Sequence, residues 1–205
     1  CSEDLGGFYL DILKDRLYTT APGSTARRSA QSALWHILQS FTKLIAPILS
    51  FTAEEVWQLL TADAEQSVML HTWHELPKPE GEGELLAKWA QVRAVRADVT
   101  KALEELREAG KIGSSLQAEV ELHCSGEKHD LLAALGDDLK FVLICSKTVL
   151  VKANEEKLVA TPSTHGKCER CWHVRADVGA SAEHPTLCGR CVSNLHGAGE
   201  HREHA

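Results

Sequence analysis

Apolar and polar positions alternate along this chain in two different rhythms. Over residues 8–62 the spacing is three and four, the period of amphipathic helices. Phe8, Ile12 and Leu13 open a short run that stops at Ala21-Pro22-Gly23. Ser24 then has the chemistry of an N-cap. The next stripe runs through Ala30, Ala33, Leu34, Ile37, Leu38, Phe41, Leu44 and Ile45, and Pro47 ends or kinks it. Thr52 and Glu55 have capping-box spacing, with Val56, Leu59 and Leu60 as the expected buried face. Residues 61–83 read as a long connector anchored by Trp73. A long helix is expected from about Glu84 to Ala109, with Leu85, Trp89, Val92, Val95, Val99, Leu103 and Leu106 inward and Gly110 as its stop.

After Gly113 the rhythm changes. Ala118, Val120, Leu122 and Cys124 alternate with Glu119, Glu121 and His123, the pattern of a half-buried strand. Leu131, Leu132 and Leu135 suggest a short helix, Leu139–Ile144 fits helix or buried strand, and Thr148–Val151 reads as a strand. From Thr161 large apolar residues are scarce, so this stretch cannot build a core from side chains alone. The expected fold is mainly α, an antiparallel helical bundle, followed by a small α/β unit and a C-terminal four-cysteine zinc knuckle. The expected divisions are 1–111, 112–160 and 161–205.

The knuckle rests on spacing. Cys168-Glu169-Arg170-Cys171 and Cys188-Gly189-Arg190-Cys191 are two C-x2-C pairs separated by sixteen residues. Such pairs supply four thiolates at tetrahedral corners, and four protein ligands leave no open position, so one structural zinc is expected. A four-sulfur cage also suits iron. His173 and His184 flank the thiols, but four cysteines already close the shell. Cys1, Cys124 and Cys145 remain as an odd set, which fits a reducing compartment better than a disulfide framework.

Composition narrows the field. Of the formal net charge of −7, residues 63–160 carry −6, so the acidic middle argues against non-specific polyanion binding and leaves a local nucleic-acid surface open at either end. No apolar window is long enough to span a membrane. Starting at Cys1 in mid-pattern, with neither an initiator Met nor a signal peptide, the chain reads as a piece of a longer protein. It contains no G-x-S-x-G and no Walker loop. His36 falls within a helical stripe and reads as a boundary histidine, and His201 and His204 as part of a frayed tail. Arg170 and Trp172 bracket Cys171, where Trp172 is either a lid over the metal or a stacking platform for an unpaired base. Lys167, Arg170, Arg175 and Arg190 lie close enough in sequence to offset the thiolates' charge, and Arg27-Arg28 are candidates for backbone phosphates.

Several segments resemble a known family. Gly7–Tyr18 and Ala46–Trp57 are similar to the anticodon-binding domain of class I synthetases for branched aliphatic amino acids, and Lys111–Leu116 to the passage from their helical part into a small α/β unit. Cys168-Glu169-Arg170-Cys171-Trp172 with Cys188-Gly189-Arg190-Cys191 resembles the zinc knuckle of bacterial-type isoleucyl-tRNA synthetases. The resemblance implies a non-catalytic, tRNA-reading part of a cytoplasmic ligase that uses ATP to join isoleucine to its tRNA. The catalytic signatures H-I-G-H and K-M-S-K-S are absent, and Lys111–Ser115 only looks like the second. It implies the anticodon stem-loop of tRNA(Ile) and the catalytic and editing domains of the same parent chain as partners, and no membrane. It turns Trp172 toward base contact. Formamidopyrimidine-type DNA glycosylases share the cysteine spacing, but their N-terminal Pro-Glu has no counterpart in Cys1-Ser2-Glu3. A zinc scaffold without a nucleic-acid role is the third reading.

Overall fold

The computed structural model describes residues 1–61 and 66–205. The chain is mostly helical with a small sheet, and it forms two compact units, Cys1–Arg27 with Gly83–Ala205, and Arg28–Glu82.

In the larger unit a π-helical lead-in, Ser2–Tyr9, runs into α1 (Leu10–Thr19). The long helix α4 (Glu82–Glu108) buries Val92, Val95, Val99 and Leu103, the centre of the expected stripe. It ends at Gly110, which sits at φ 68°, where a Cβ is costly. There the Lys111 N–H donates to the Leu106 carbonyl and the Gly110 N–H to that of Arg107, a Schellman stop.

β1 (Ala118–Cys124) has the strictly alternating burial expected of it. It is the central strand, parallel to β2 (Lys147–Lys152) and antiparallel to β3 (Lys157–Pro162). α5 (Gly126–Ala133) and α6 (Leu139–Leu143) form the crossover that a parallel pair requires. The ambiguous segment 139–144 is thus helical. It closes on Ile144 in the left-handed region, φ 53°, with the Cys145 N–H donating to the Lys140 carbonyl. One core unites the inner face of α4, the inward side of β1, and Leu132, Leu139, Phe141, Val142 and Leu143. Cys124 and Cys145 belong to this core, and burial raises both thiols, Cys145 to about 11. Neither joins the metal centre.

The unit Arg28–Glu82 contains most of α2 (Thr25–Ile45) and all of α3 (Ser50–Thr61). The Arg27 N–H donates to Ser24 Oγ, so Ser24 caps α2 as its sequence indicates. The core of this unit is small: Ala46, Ala53, Trp57 and Val68, with Ile45 and Leu60 against it. Three expectations fail here, the first being the α2 stripe, of which Leu38, Phe41 and Leu44 are exposed. α3 begins at Ser50 rather than after Thr52, and its inward face is Ala53 and Trp57, while Leu59, two residues past Trp57 and so on the opposite side of the helix, is 87% exposed. Trp73 is not an anchor, since it is largely exposed. The returning segment is instead held by Glu54, whose carboxylate accepts from Ser67 Oγ and the Val68 N–H, and by His71, whose ring lies tilted 4.5 Å from that of Trp57. Part of the 61–83 connector, residues 62–65, lies outside the described residues. His36 pairs with His74 across 2.9 Å beside Trp35, a boundary position as expected.

Candidate metal centre

After β3 the chain makes a two-stranded ribbon, β4 (Gly166–Lys167) and β5 (Val174–Arg175), and then α7 (Gly189–His196). The first cysteine pair lies in the turn of the ribbon. The Cys168 N–H donates to the His173 carbonyl and the Trp172 N–H returns to that of Cys168, which curls Cys168 and Cys171 toward one point. The second pair comes from the N-terminus of α7, with Cys188 as N-cap and Cys191 one turn on. The Asp177 carboxylate accepts from the Gly189 N–H and is held by Arg175, whose hydrogen bonds keep its pKa low.

Cys168, Cys171, Cys188 and Cys191 are all buried and their sulfurs lie within 4.8 Å of one another. Cys171 Sγ and Cys188 Sγ are 3.7 Å apart. A tetrahedral zinc with Zn–S of about 2.3 Å sets sulfurs roughly 3.8 Å apart, so the cage has the right size. Four thiolates carry four negative charges into one buried cluster, which a dication offsets in part. The four residues therefore fit one structural zinc ion, which would cross-link ribbon and helix and leave no site for substrate. His173 and His184 stay outside the cage. His184 stacks on His196, and His173 faces Asp15 and Phe141.

The cage touches little apolar surface besides its own Val178 and Leu187. Polar contacts fasten it instead. Arg170 donates to the carbonyls of Thr19 (2.6 Å) and Tyr18 at the end of α1, and lies 3.6 Å from Cys191 Sγ. Arg190 is buried and makes a bidentate pair with Asp15 of α1, at 2.7 and 2.8 Å. Arg202 adds a third contact to Asp15 at 2.5 Å, lies over the Phe141 ring and donates to the Ala205 carbonyl. The tail is thus not frayed: Arg202 and Ala205 are buried, and the Glu203 and His204 N–H groups donate to Asp138. Burial alone would raise the Asp15 carboxyl, but hydrogen bonds from Arg190 and His173 and the charges of Arg190 and Arg202 hold it far below the ordinary range.

Trp172 is different. It sits in the left-handed region at φ 65° and is 60% exposed. It borders a largely apolar pocket of about 450 Å³ with Tyr18, Leu116, Phe141 and Ile144, and Lys14 and Arg170 lie at the same pocket. Lys167 Nζ is 5.9 Å from its ring. Among the basic residues singled out from sequence, Arg170 and Arg190 turn toward α1 and Arg175 is paired with Asp177. Arg27 and Arg28 lie at the start of α2, Arg28 exposed and Arg27 half-buried. Asp15, Phe141 and Arg202 are the residues that sequence reasoning missed.

A closed four-cysteine knuckle with an exposed aromatic defines a structural metal module rather than a catalytic one, and the comparisons say which. Residues 1–122 match the family model described as the anticodon-binding domain of tRNA ligase, and the chain belongs to that family. Residues 166–194 match the zinc finger found in FPG and IleRS. The chain is 73% identical to the isoleucine–tRNA ligase of Dechloromonas aromatica over 98% of its length. It is 60% and 58% identical to those of Azoarcus sp. (strain BH72) and Aromatoleum aromaticum over all of it. It spans about 22% of the length of these relatives and matches their C-terminal part. No helix among the described residues is long and apolar enough to cross a membrane.

Proposed function

We propose that this chain is the tRNA-reading, non-catalytic part of an isoleucine–tRNA ligase. The whole enzyme attaches isoleucine to tRNA(Ile) with ATP in the cytoplasm, and this part meets the anticodon stem-loop. Residues 1–111 act as an antiparallel anticodon-binding helical bundle, 112–160 as a junction unit and 161–205 as the knuckle.

The observation that carries the reading is the conformation of Trp172. A left-handed non-glycine residue costs roughly 1–2 kcal/mol, which glycine would avoid. Burial does not repay that cost, because the ring is mostly exposed. Strain retained at an exposed aromatic points to use by a ligand. A flat ring on a metal-pinned turn, beside an apolar pocket rimmed by Tyr18, suits an unstacked base. Arg27, Arg28 and Arg175 serve the phosphate backbone, while Arg170 and Arg190 contribute positive charge to the knuckle.

Titration of the full-length enzyme against a tRNA panel with the anticodon varied, at stated salt, tests this reading. Selective tightening on isoleucine anticodons is expected, and equal affinity for all would refute it. The chain of residues 1–205 alone is expected to give no isoleucine-dependent ATP–pyrophosphate exchange. Measurable exchange would overturn its assignment as non-catalytic.

A further inference from the structure

Trp172 lies in sequence between two residues that grip the same helix. Arg170 holds the last carbonyls of α1, and His173 Nε2 is 3.5 Å from Asp15 Oδ2. Asp15 also takes Arg190 from α7 and Arg202 from the tail, so one carboxylate gathers three cationic or cation-capable groups from three segments. Phe141 lies under Arg190 and Arg202, at 4.9 and 3.5 Å from their guanidinium carbons. Glu200, 3.2 Å from Arg190 and 3.8 Å from Arg202, is the other nearby acid on both arginines, and Asp138 lies 3.8 Å from Arg202. Among the described residues, the partly buried apolar side chains against the cysteine cluster are Val178 and Leu187 of the knuckle itself. Apolar contact is non-directional in any case, whereas a bidentate arginine–carboxylate pair fixes an angle as well as a distance.

We propose that Asp15 is a positioning residue: it latches the zinc knuckle onto α1 and thereby sets where Trp172 stands. The proposal rests on the reading of Trp172 as an RNA contact. The latch has two jaws. The Asp15 carboxylate receives the knuckle through Arg190 and the tail through Arg202. Arg170 meets the free carbonyls one turn further along α1, where the Thr19 and Thr20 hydroxyls already donate back to Asp15 and Arg16. Without the Asp15 charge, Arg190 and Arg202 face each other with too little compensation, and the knuckle separates from α1 while its metal cage, which is internal, persists.

The test uses Asp15→Asn and, independently, Arg202→Met in the full-length enzyme, each with and without Trp172→Ala. Zinc content and isoleucine activation should stay at wild-type levels in both. Amide hydrogen exchange should accelerate by about 10-fold or more at residues 18–20 and 168–175, as expected for sub-global opening. Affinity for tRNA should fall by about 10-fold beside Trp172, but by less than about 2-fold in the Trp172→Ala background, the non-additivity of residues acting through one another. Unchanged exchange in both variants overturns the latch. Faster exchange with losses that simply add to that of Trp172→Ala overturns the positioning role. If Trp172→Ala alone costs no affinity, the RNA reading of Trp172 fails, and the exchange data still support or refute the latch by themselves.

Discussion

Cys188→Ala is expected to release the metal and unfold residues 166–196 while leaving the sheet and α4 folded. The knuckle has almost no core beyond its four cysteines, with Val178 and Leu187 against them. In such modules the free energy of metal binding, about 10–16 kcal/mol for zinc-finger peptides, is the folding free energy. Three thiolates cannot close a tetrahedral shell, and Cys188 is also the N-cap of α7. Loss of α7 removes Arg190 from Asp15, so the end of α1 loosens as well. The main core, built on Val95, Val99, Val120 and Val142, contains none of the four metal-binding cysteines and should survive. Elemental analysis together with segment-resolved hydrogen exchange reads both halves of this outcome. A cooperative loss of all helical signal would contradict the separation of the two cores.

Arg190→Ala is the second large effect. Breaking a buried ion pair from one side typically costs about 3–5 kcal/mol, because the partner stays buried and charged. Here Arg202 and His173 remain near Asp15, so the expected cost to knuckle docking lies near the low end, about 3 kcal/mol. The acid behaviour should move with it. The Asp15 carboxyl is depressed in the folded protein, so its contribution is complete above the unfolded carboxyl pKa of about 3.9 and is lost progressively as pH falls from there through the lower, folded value. Wild-type docking should therefore show no Asp15 titration from neutral pH down to about pH 4. Removing Arg190 brings the Asp15 pKa back up toward the unfolded value, so the stability lost through Asp15 on acidification should shrink. Docking followed by hydrogen exchange from neutral pH to well below the ordinary carboxyl pKa of about 3.9 checks both statements, and identical acid limbs in the two proteins would refute the assignment of that limb.

What the sequence made legible was local. The alternation at 118–124, the α4 stripe, the caps at Ser24 and Gly110 and the metal cage follow from periods and spacings of a few residues. What it hid was long-range or marginal. β3 offers only Leu158, Val159 and Ala160 as apolar residues before it adds to the sheet edge. Leu59 has the right chemistry for a core but falls on the outer face, nearly opposite the buried Trp57. Asp15 meets Arg190 and Arg202 across 175 and 187 residues, and a single Asp on a helix carries no sign of such partners. Arg202 stands among histidines and acids in a tail whose composition resembles a solvated end, yet its guanidinium lies over the Phe141 ring and donates to Asp15. Nor does sequence report that Trp172 occupies a backbone conformation suited to glycine.

That conformation provides the most direct test of the central claim, that the knuckle exists to present Trp172 to RNA. Trp172→Gly removes the ring and relieves the left-handed strain together, so it separates structure from recognition. The measurement is a tRNA titration of the full-length Trp172→Gly enzyme against wild type at two salt concentrations. The expected result is a zinc content equal to that of wild type, undiminished thermal stability, and a binding loss of about 1–3 kcal/mol, the value of one base stack, that depends on the anticodon base. Wild-type affinity for every anticodon, or a loss of zinc on removing the ring, would contradict the claim and make Trp172 a cover for the metal.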